Sequence, residues 1–498
     1  VQNLCRALTR EGHEVHLLCQ EREAFSYDFV AEHCVVDGEV IRRQGERETP
    51  YPGRCVVYNP EIGDLLPVYL YDDYPGWRVK TFLDLTDEEL ESYLRRNVEA
   101  VRAVLEASGA EAVLTNHSVP GPLISRRALE GSGVPYVSIV HGSCLQYVAR
   151  ESAEYMRLTR EGLEGAKRIL ALSSHSAGTI AEDFPDLEDR TTALPGGVDT
   201  ELFRPDALDP DYLSRLSDTP GRGPEQDSAL LEALDRSENT GELAGPLREI
   251  SASYDARSPD SDFGERIGGF LADDGSPLVL YVGKLIHSKG VHSLLSAFAR
   301  VRRETGARLL VVGFGTFREG LQALTRSFSV GDARLVESLT ETGRLLEGSP
   351  AGPLEHFGLS EALLRDAAGM EEGVEFAGPL GHEDLARLLP AADASVVPSI
   401  FPETFGLVAA ELAASGVVPF VADHSGLREA GGIIGRGLPF EVRVGMDGFE
   451  ENLASALAGY LKLPEEERRR CEEVVRRNCA EHLGWGTLAQ RLVELVRG

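Results

Sequence analysis

Two carboxylates, Glu403 and Glu411, stand eight residues apart in the run Phe401-Pro-Glu-Thr-Phe-Gly-Leu-Val-Ala-Ala-Glu411. The run follows a strand-like segment and reads as the opening of a helix. On a helix this spacing puts the two groups about 12 Å apart along the axis and roughly on one side. That separation can span the two ends of a nucleotide sugar. Between them, the N–H groups of Phe405, Gly406 and Leu407 at a helix N-terminus would face a diphosphate, with Gly406 permitting close approach. The same residues also suit an ordinary capped helix, with Glu403 near its positive end and Glu411 on a solvated face. Spacing alone leaves both readings open.

A second constellation is Gly283-Lys284-Leu-Ile-His-Ser-Lys289-Gly290, where a strand runs into a loop. The chain has five lysines, Lys80, Lys167, Lys284, Lys289 and Lys462, and two of them fall in this loop. A buried diphosphate needs compensating cations, and the C-terminal end of a strand is the usual ligand crevice of an α/β sheet. Gly313-Phe-Gly315-Thr-Phe-Arg318 resembles a dinucleotide fingerprint but carries Arg318 where the third glycine belongs, so a tight turn at the crevice rim is the better reading. His141 ends another strand, where an imidazole could hydrogen-bond a sugar hydroxyl, and Asn116-His117 ends its neighbour in the same way. A histidine at such a place is more often structural. The acidic pairs Asp209/Asp211 and Asp260/Asp262 lie in a polar stretch without supporting residues and read as solvated charge. No metal is implied.

These residues need a frame of strands and helices to hold them. A length of 498 residues exceeds one core and predicts two domains. Strand-like and helix-like runs alternate, the pattern of doubly wound βαβ units. A helix over residues 1–10 leads to a strand from His13, and Thr86 to Glu89 has capping-box spacing for a long helix to about Leu105. Further strands are expected at 112–115, 136–140 and 168–173, and the Pro and Gly of 193–205 close a first domain spanning 1–205. Residues 206–274 are rich in Asp, Ser, Gly and Pro and read as a polar insertion or linker. Near-continuous apolar runs at 277–283, 308–313, 374–378, 394–398 and 418–422 predict buried parallel strands of a second domain over 275–480. A second insertion is expected over about 327–373, and a C-terminal helix over 481–498. An α/β domain normally begins with a strand and a Gly-containing turn, whereas this chain opens at Val1 inside a helix; the reading expects a first strand upstream of Val1.

A net charge of −31 argues against a polyanionic partner, so nucleic acid is not expected. Seven scattered cysteines without a C-x-x-C pair suit reduced thiols and a cytoplasmic protein. No apolar run approaches the roughly 18 residues of a membrane span. Peripheral contact with the inner face of a membrane stays open.

Taken together, the His141-Gly142 strand end, Pro195-Gly-Gly-Val-Asp199 with Phe203 and Pro205, the Gly283 to Gly290 loop, Gly313-Phe-Gly315 and the Glu403/Glu411 segment occur in the order of glycosyltransferase family 4. The chain resembles this family of retaining GT-B enzymes over nearly its whole length. The resemblance implies an α/β fold of the GT-B type, two Rossmann-like domains facing a cleft. It implies that Glu403 contacts the hydroxyls of the donor sugar and Glu411 the nucleotide ribose. Lys289, and Lys284 where the family usually carries Arg, would bind the diphosphate; Lys supplies a point charge rather than a fork. His141 would touch the sugar near its 6-position, and the helix from Gly484 would cross back onto the first domain.

The expected reaction is transfer of a hexosyl unit from a nucleoside diphosphate sugar to a sugar, lipid or small-molecule hydroxyl, with retention. No cofactor or metal is expected, because lysines and helix N–H groups would stabilise the departing diphosphate. Two alternatives stay open on the same fold: an epimerase acting on the nucleotide sugar itself, and a nucleotide-sugar-binding protein without turnover. A phosphorylase using pyridoxal phosphate is less favoured.

Overall fold

A computed structural model of the chain describes residues 1–70, 74, 76–206, 263–271, 275–342 and 352–497. Most of the polar stretch 206–274, both acidic pairs included, lies outside the described residues. The chain forms two compact units, Val1–Gly197 with Leu483–Gly498, and Val198–His482. The division falls eight residues before Pro205; Val198 and Phe203, both buried, belong to the second unit, where the Phe203 ring meets His382 edge-on.

Unit 1 is built from the expected alternation with an unexpected interruption. The strands β1 (Glu14–Leu18), β2 (Val30–Asp37), β3 (Val40–Glu46) and β4 (Arg54–Pro60) form one sheet in the order β1-β4-β2-β3, with only the β2–β3 pair antiparallel. A short parallel pair follows, β5 (Leu65–Val68) with β6 (Arg78–Thr81). The strands β7 (Val113–Asn116), β8 (Tyr136–Val140), β9 (Arg168–Ala171) and β10 (Thr191–Ala193) make a parallel sheet in the order β10-β9-β8-β7. The helix Asp87–Ser108 starts with the expected capping box: Glu89 N–H donates to Thr86 Oγ1 at 3.3 Å and Thr86 N–H to Glu89 Oε2 at 3.0 Å. It stops where Gly109 turns left-handed at φ 64°.

The C-terminal helix Trp485–Arg497 belongs to this unit for a packing reason. Its Leu488, Ala489 and Leu492 share a buried cluster with Leu4, Ala7 and Leu8 of the helix Gln2–Arg10 and with Val137, Ile139 and Leu170 of β8 and β9. Lys167 Nζ donates to Val496 O at 3.0 Å, which ties down its last turn.

Unit 2 carries one parallel sheet, β11 (Leu278–Val282), β12 (Arg308–Val312), β13 (Val374–Gly378), β14 (Ala394–Val397), β15 (Val418–Ala422) and β16 (Arg443–Val444), in the order β13-β12-β11-β14-β15-β16. Strands β12, β13, β14 and β15 are buried along nearly their full length, as continuous apolar runs require when helices cover both faces. The second insertion starts later than expected, since Ser327 sits inside the helix Arg318–Val330 and a further helix covers Ala333–Thr342. The segment from Gly352 returns to the sheet's helical layer: Glu355 O lies 2.7 Å from His292 Nε2, and Ser293 Oγ donates to His356 O at 2.6 Å. Among the described residues no helix is long and apolar enough to cross a membrane.

Candidate active site

In unit 2 the chain leaves β11 in one direction to build β12 and β13 and later returns on the opposite side to build β14 to β16. The loops after β11 and β14 therefore diverge at the sheet's switch point, the place where an open parallel sheet leaves a crevice. Lys284 and Lys289 lie in the first of these loops and Glu403 in the second.

The two loops are joined by their backbones. Ile400 N–H and Phe401 N–H both donate to Ser288 O, at 3.0 and 3.3 Å. Gly290 closes the first loop at φ 67°, and a Cβ there would collide with the Pro398 carbonyl oxygen, so no other residue fits. The closure brings Lys289 Nζ into an ion pair with Glu403 Oε1, which also accepts from Ser399 Oγ at 2.7 Å. The Lys289 and Glu403 side chains keep 29% and 24% of their surface exposed, so cation and carboxylate meet at the surface of the crevice rather than in the core. Lys284 is exposed, and its backbone is fixed by Tyr281 Oη donating to Lys284 O at 2.9 Å. The Gly313 turn backs this loop: Leu285 N–H donates to Phe314 O at 2.7 Å and Phe317 N–H to Leu285 O at 2.9 Å.

Glu403 does not share a helix with Glu411. The helix spans Leu407–Ala414, with Gly406 before it at φ 110°. Pro402 has no N–H to donate and Gly406 departs from helical geometry, so residues 401–406 form a loop and the axial spacing of a helix does not apply to the pair. Glu411 lies in the second turn and is not on a solvated face; its side chain is only 17% exposed. Burial pushes its carboxyl up to about 7. His382 Nε2 lies 3.9 Å from its Oε1, and the His382 ring meets Phe203 edge-on at 6.1 Å. The Phe405 ring is fully buried, so only its backbone can serve a ligand. Ala409 N–H and Ala410 N–H donate to Gly406 O at 3.1 and 3.4 Å, so the N–H groups of Leu407 and Val408 precede the first of these bonds, and Leu407 is exposed beside them.

Sequence reasoning missed a third loop. After β15, Ser425 Oγ accepts from Glu403 N–H at 2.9 Å, and His424 Nε2 lies 2.6 Å from Ser399 O. The signal that could have found it is position alone, directly after the strand that neighbours β14.

In unit 1, His141 directly follows β8 and Asn116 ends β7, and the parallel register brings them together, with His141 Nε2 3.2 Å from Asn116 Oδ1. With the amide oxygen as acceptor, Nε2 carries the hydrogen and Nδ1 keeps the lone pair. Burial lowers the His141 pKa to about 4, so the ring is neutral at pH 7. His117 packs on it at 4.7 Å between ring centres, is lowered to about 3 chiefly by burial, and holds φ 70° with Nδ1 unpartnered among the described residues.

Residues 1–202 match the family described as Glycosyltransferase Family 4, and residues 264–336 and 359–477 match Glycosyl transferases group 1. Among curated proteins the chain is similar to a glycogen synthase of Mycobacterium tuberculosis, 31% identical over 212 residues, 41% of this chain and 40% of that one. It is also similar to a D-inositol 3-phosphate glycosyltransferase of a Mycobacterium species, 37% identical over 115 residues, 23% of this chain and 24% of that one. The matched stretches thus span less than half of either relative. In fold it resembles Anabaena HepE, solved in complex with UDP and glucose, at TM-score 0.52 and 15% identity, covering 87% of this chain and 91% of that one. With a family 4 domain first and a group 1 domain after it, the chain belongs to the glycosyltransferases of the GT-B fold.

Proposed function

We propose that the protein transfers a hexosyl unit from a nucleoside diphosphate sugar to a hydroxyl acceptor with retention at the anomeric carbon. The observation that carries this reading is the Lys289–Glu403 pair at the switch point between β11 and β14. A nucleotide sugar presents a polyhydroxyl ring and a diphosphate joined at one C–O–P junction. A cation and a carboxylate side by side match the two halves of that junction, with Lys289 on a phosphate oxygen and Glu403 on sugar hydroxyls. Lys284 and the N–H groups from Phe405 to Leu407 add positive potential for the rest of the diphosphate. Glu411, one turn further on, takes the ribose hydroxyls. The bond that breaks is the one from the anomeric carbon to the diphosphate oxygen, and negative charge grows on the departing group. Donors already aimed at that charge lower the barrier without reorganising. Glu403 and Glu411 have different partners and different tasks, so neither is assigned as a nucleophile of the close-pair kind used by retaining hydrolases.

A thermal-shift panel of UDP-, GDP- and ADP-sugars tests the donor assignment. A ligand bound only by the folded state at about a hundred times its Kd adds about 2.7 kcal/mol, so one nucleotide series should raise the midpoint visibly. A panel in which no nucleotide or nucleotide sugar moves the midpoint would sink the proposal.

A further inference from the structure

We infer that His424 and Ser425 are positioning residues for Glu403, forming a relay that holds the sugar-facing loop in register; this rests on the donor reading above. The loop 399–403 has no regular secondary structure, yet its ends are tied to one short segment after β15. Gly426 N–H donates to Glu403 O at 2.9 Å, and Glu403 N–H donates to Ser425 Oγ at 2.9 Å, so both backbone groups of Glu403 end on residues 425–426. The other end of the loop, Ser399, meets His424 Nε2 through its carbonyl at 2.6 Å, while His424 Nδ1 lies 3.0 Å from Ser425 Oγ.

The chemistry of each atom fixes the direction of this chain. A carbonyl oxygen only accepts, so His424 Nε2 carries the hydrogen. In the neutral imidazole Nδ1 is then an acceptor, and Ser425 must donate to it. The Ser425 oxygen keeps lone pairs for Glu403 N–H. The sequence Glu403 N–H to Ser425 O–H to His424 Nδ1, then His424 Nε2–H to Ser399 O, leaves every group satisfied and closes a ring around the loop that carries the carboxylate. Ser399 also donates through Oγ to Glu403 Oε1 at 2.7 Å, so the same ring restrains backbone and side chain.

The backbone shows that the position is held against its own preference. Ser425 adopts φ 47°, in the left-handed region that residues with a side chain seldom enter, at the first position of the helix Ser425–Ile434. Glycine would adopt it without strain, so a serine here points to a use for its hydroxyl. Gly426 beside it is required for a different reason, since a Cβ would run into the Thr404 and Phe405 backbone, at 2.5 Å from Phe405 N.

Two variants of one residue separate positioning from folding. Ser425→Gly removes the hydroxyl and relieves the left-handed strain; Ser425→Ala removes the hydroxyl and keeps the strain. The thermal midpoint and the affinities for UDP, UDP-glucose, GDP and GDP-mannose are measured for the full chain and both variants. The relay predicts that both variants lose affinity for the sugar-bearing ligand by about tenfold, the effect of one hydrogen-bond network loosened. Affinity for the bare nucleotide should stay within about twofold. The midpoint of the glycine variant should lie above that of the alanine variant. Sugar-dependent affinity kept in both variants, or lost only in step with the midpoint, would overturn the relay. A wild-type chain that binds neither nucleotide with or without sugar would instead overturn the donor reading, and the relay with it.

Discussion

Glu403 and Glu411 are both glutamates near one helix start, yet their surroundings differ. Glu403, with 24% of its side chain exposed, is paired with a cation and a hydroxyl. Glu411 is largely buried, and its carboxyl sits near 7 with an exposed imidazole at 3.9 Å. Glu403→Ala should therefore spare bare nucleotide affinity while turnover falls roughly a hundredfold or more, whereas Glu411→Ala should weaken both. Calorimetry with the nucleotide and steady-state rates check this; equal and wild-type-like turnover in the two variants would remove the assignment. Ribose hydroxyls donate best to the ionised carboxylate, so nucleotide binding should strengthen as pH rises through about 7 and release a proton below it. Folding runs the other way. A carboxyl raised from 4.5 to about 7 binds more protons folded than unfolded between those values, so its contribution to stability falls as pH rises across that window. Glu411→Gln should flatten both profiles, measured by binding in about pH 6 to 8 and by urea unfolding over about pH 5 to 8.

At the scale of elements, the site is three loops after β11, β14 and β15, neighbours in one parallel sheet. Each strand was legible as a short apolar run ending in Gly, Pro or a polar cluster, and so was the crevice at their C-terminal ends. The Lys284–Gly290 loop was legible because lysine is rare in this chain. Contacts between loops were not. Glu403 and Ser425 are 22 residues apart, and the hydrogen bond between them follows from strand order, which no local pattern encodes. The same locality explains why Glu403 and Glu411 read as one helix: their apolar neighbours fit a helical period, but Pro402 and the left-handed Gly406 delay the helix to Leu407. In unit 1 the hairpin of β2 and β3 and the β5–β6 pair interrupt the βαβ rhythm and were not foreseen. Two variants probe the loop after β11. Lys289→Ala should weaken nucleoside diphosphate binding whether or not a sugar is attached, and unchanged UDP and GDP affinity would show the loop misassigned. Gly290→Ala must place a Cβ against the Pro398 carbonyl at positive φ. It should cost about 2 kcal/mol or more in chemical denaturation and reduce nucleotide binding together with it.

At the scale of the whole molecule, a strongly acidic chain places two of its five lysines, Lys284 and Lys289, in the loop where the proposal sets a dianionic diphosphate. With a net charge of −31, that loop is not part of a general basic surface. On the proposed reading lysines and N–H groups supply the compensating charge, so donor turnover should persist in EDTA. Activity abolished by the chelator and restored by Mg²⁺ or Mn²⁺ would contradict that part of the account. The central claim is that Lys289 and Glu403 together hold a sugar at its diphosphate so that it can be transferred. The most direct measurement takes the nucleotide sugar that stabilises the protein most and follows donor, nucleoside diphosphate and product by proton NMR. It is made with and without a pool of hydroxyl acceptors, for the wild-type chain and Glu403→Ala. The account predicts acceptor-dependent release of nucleoside diphosphate, a glycoside product with the donor's anomeric configuration, and near-complete loss of both in the variant. A donor sugar altered without acceptor, an inverted product, or release undiminished in Glu403→Ala would contradict it.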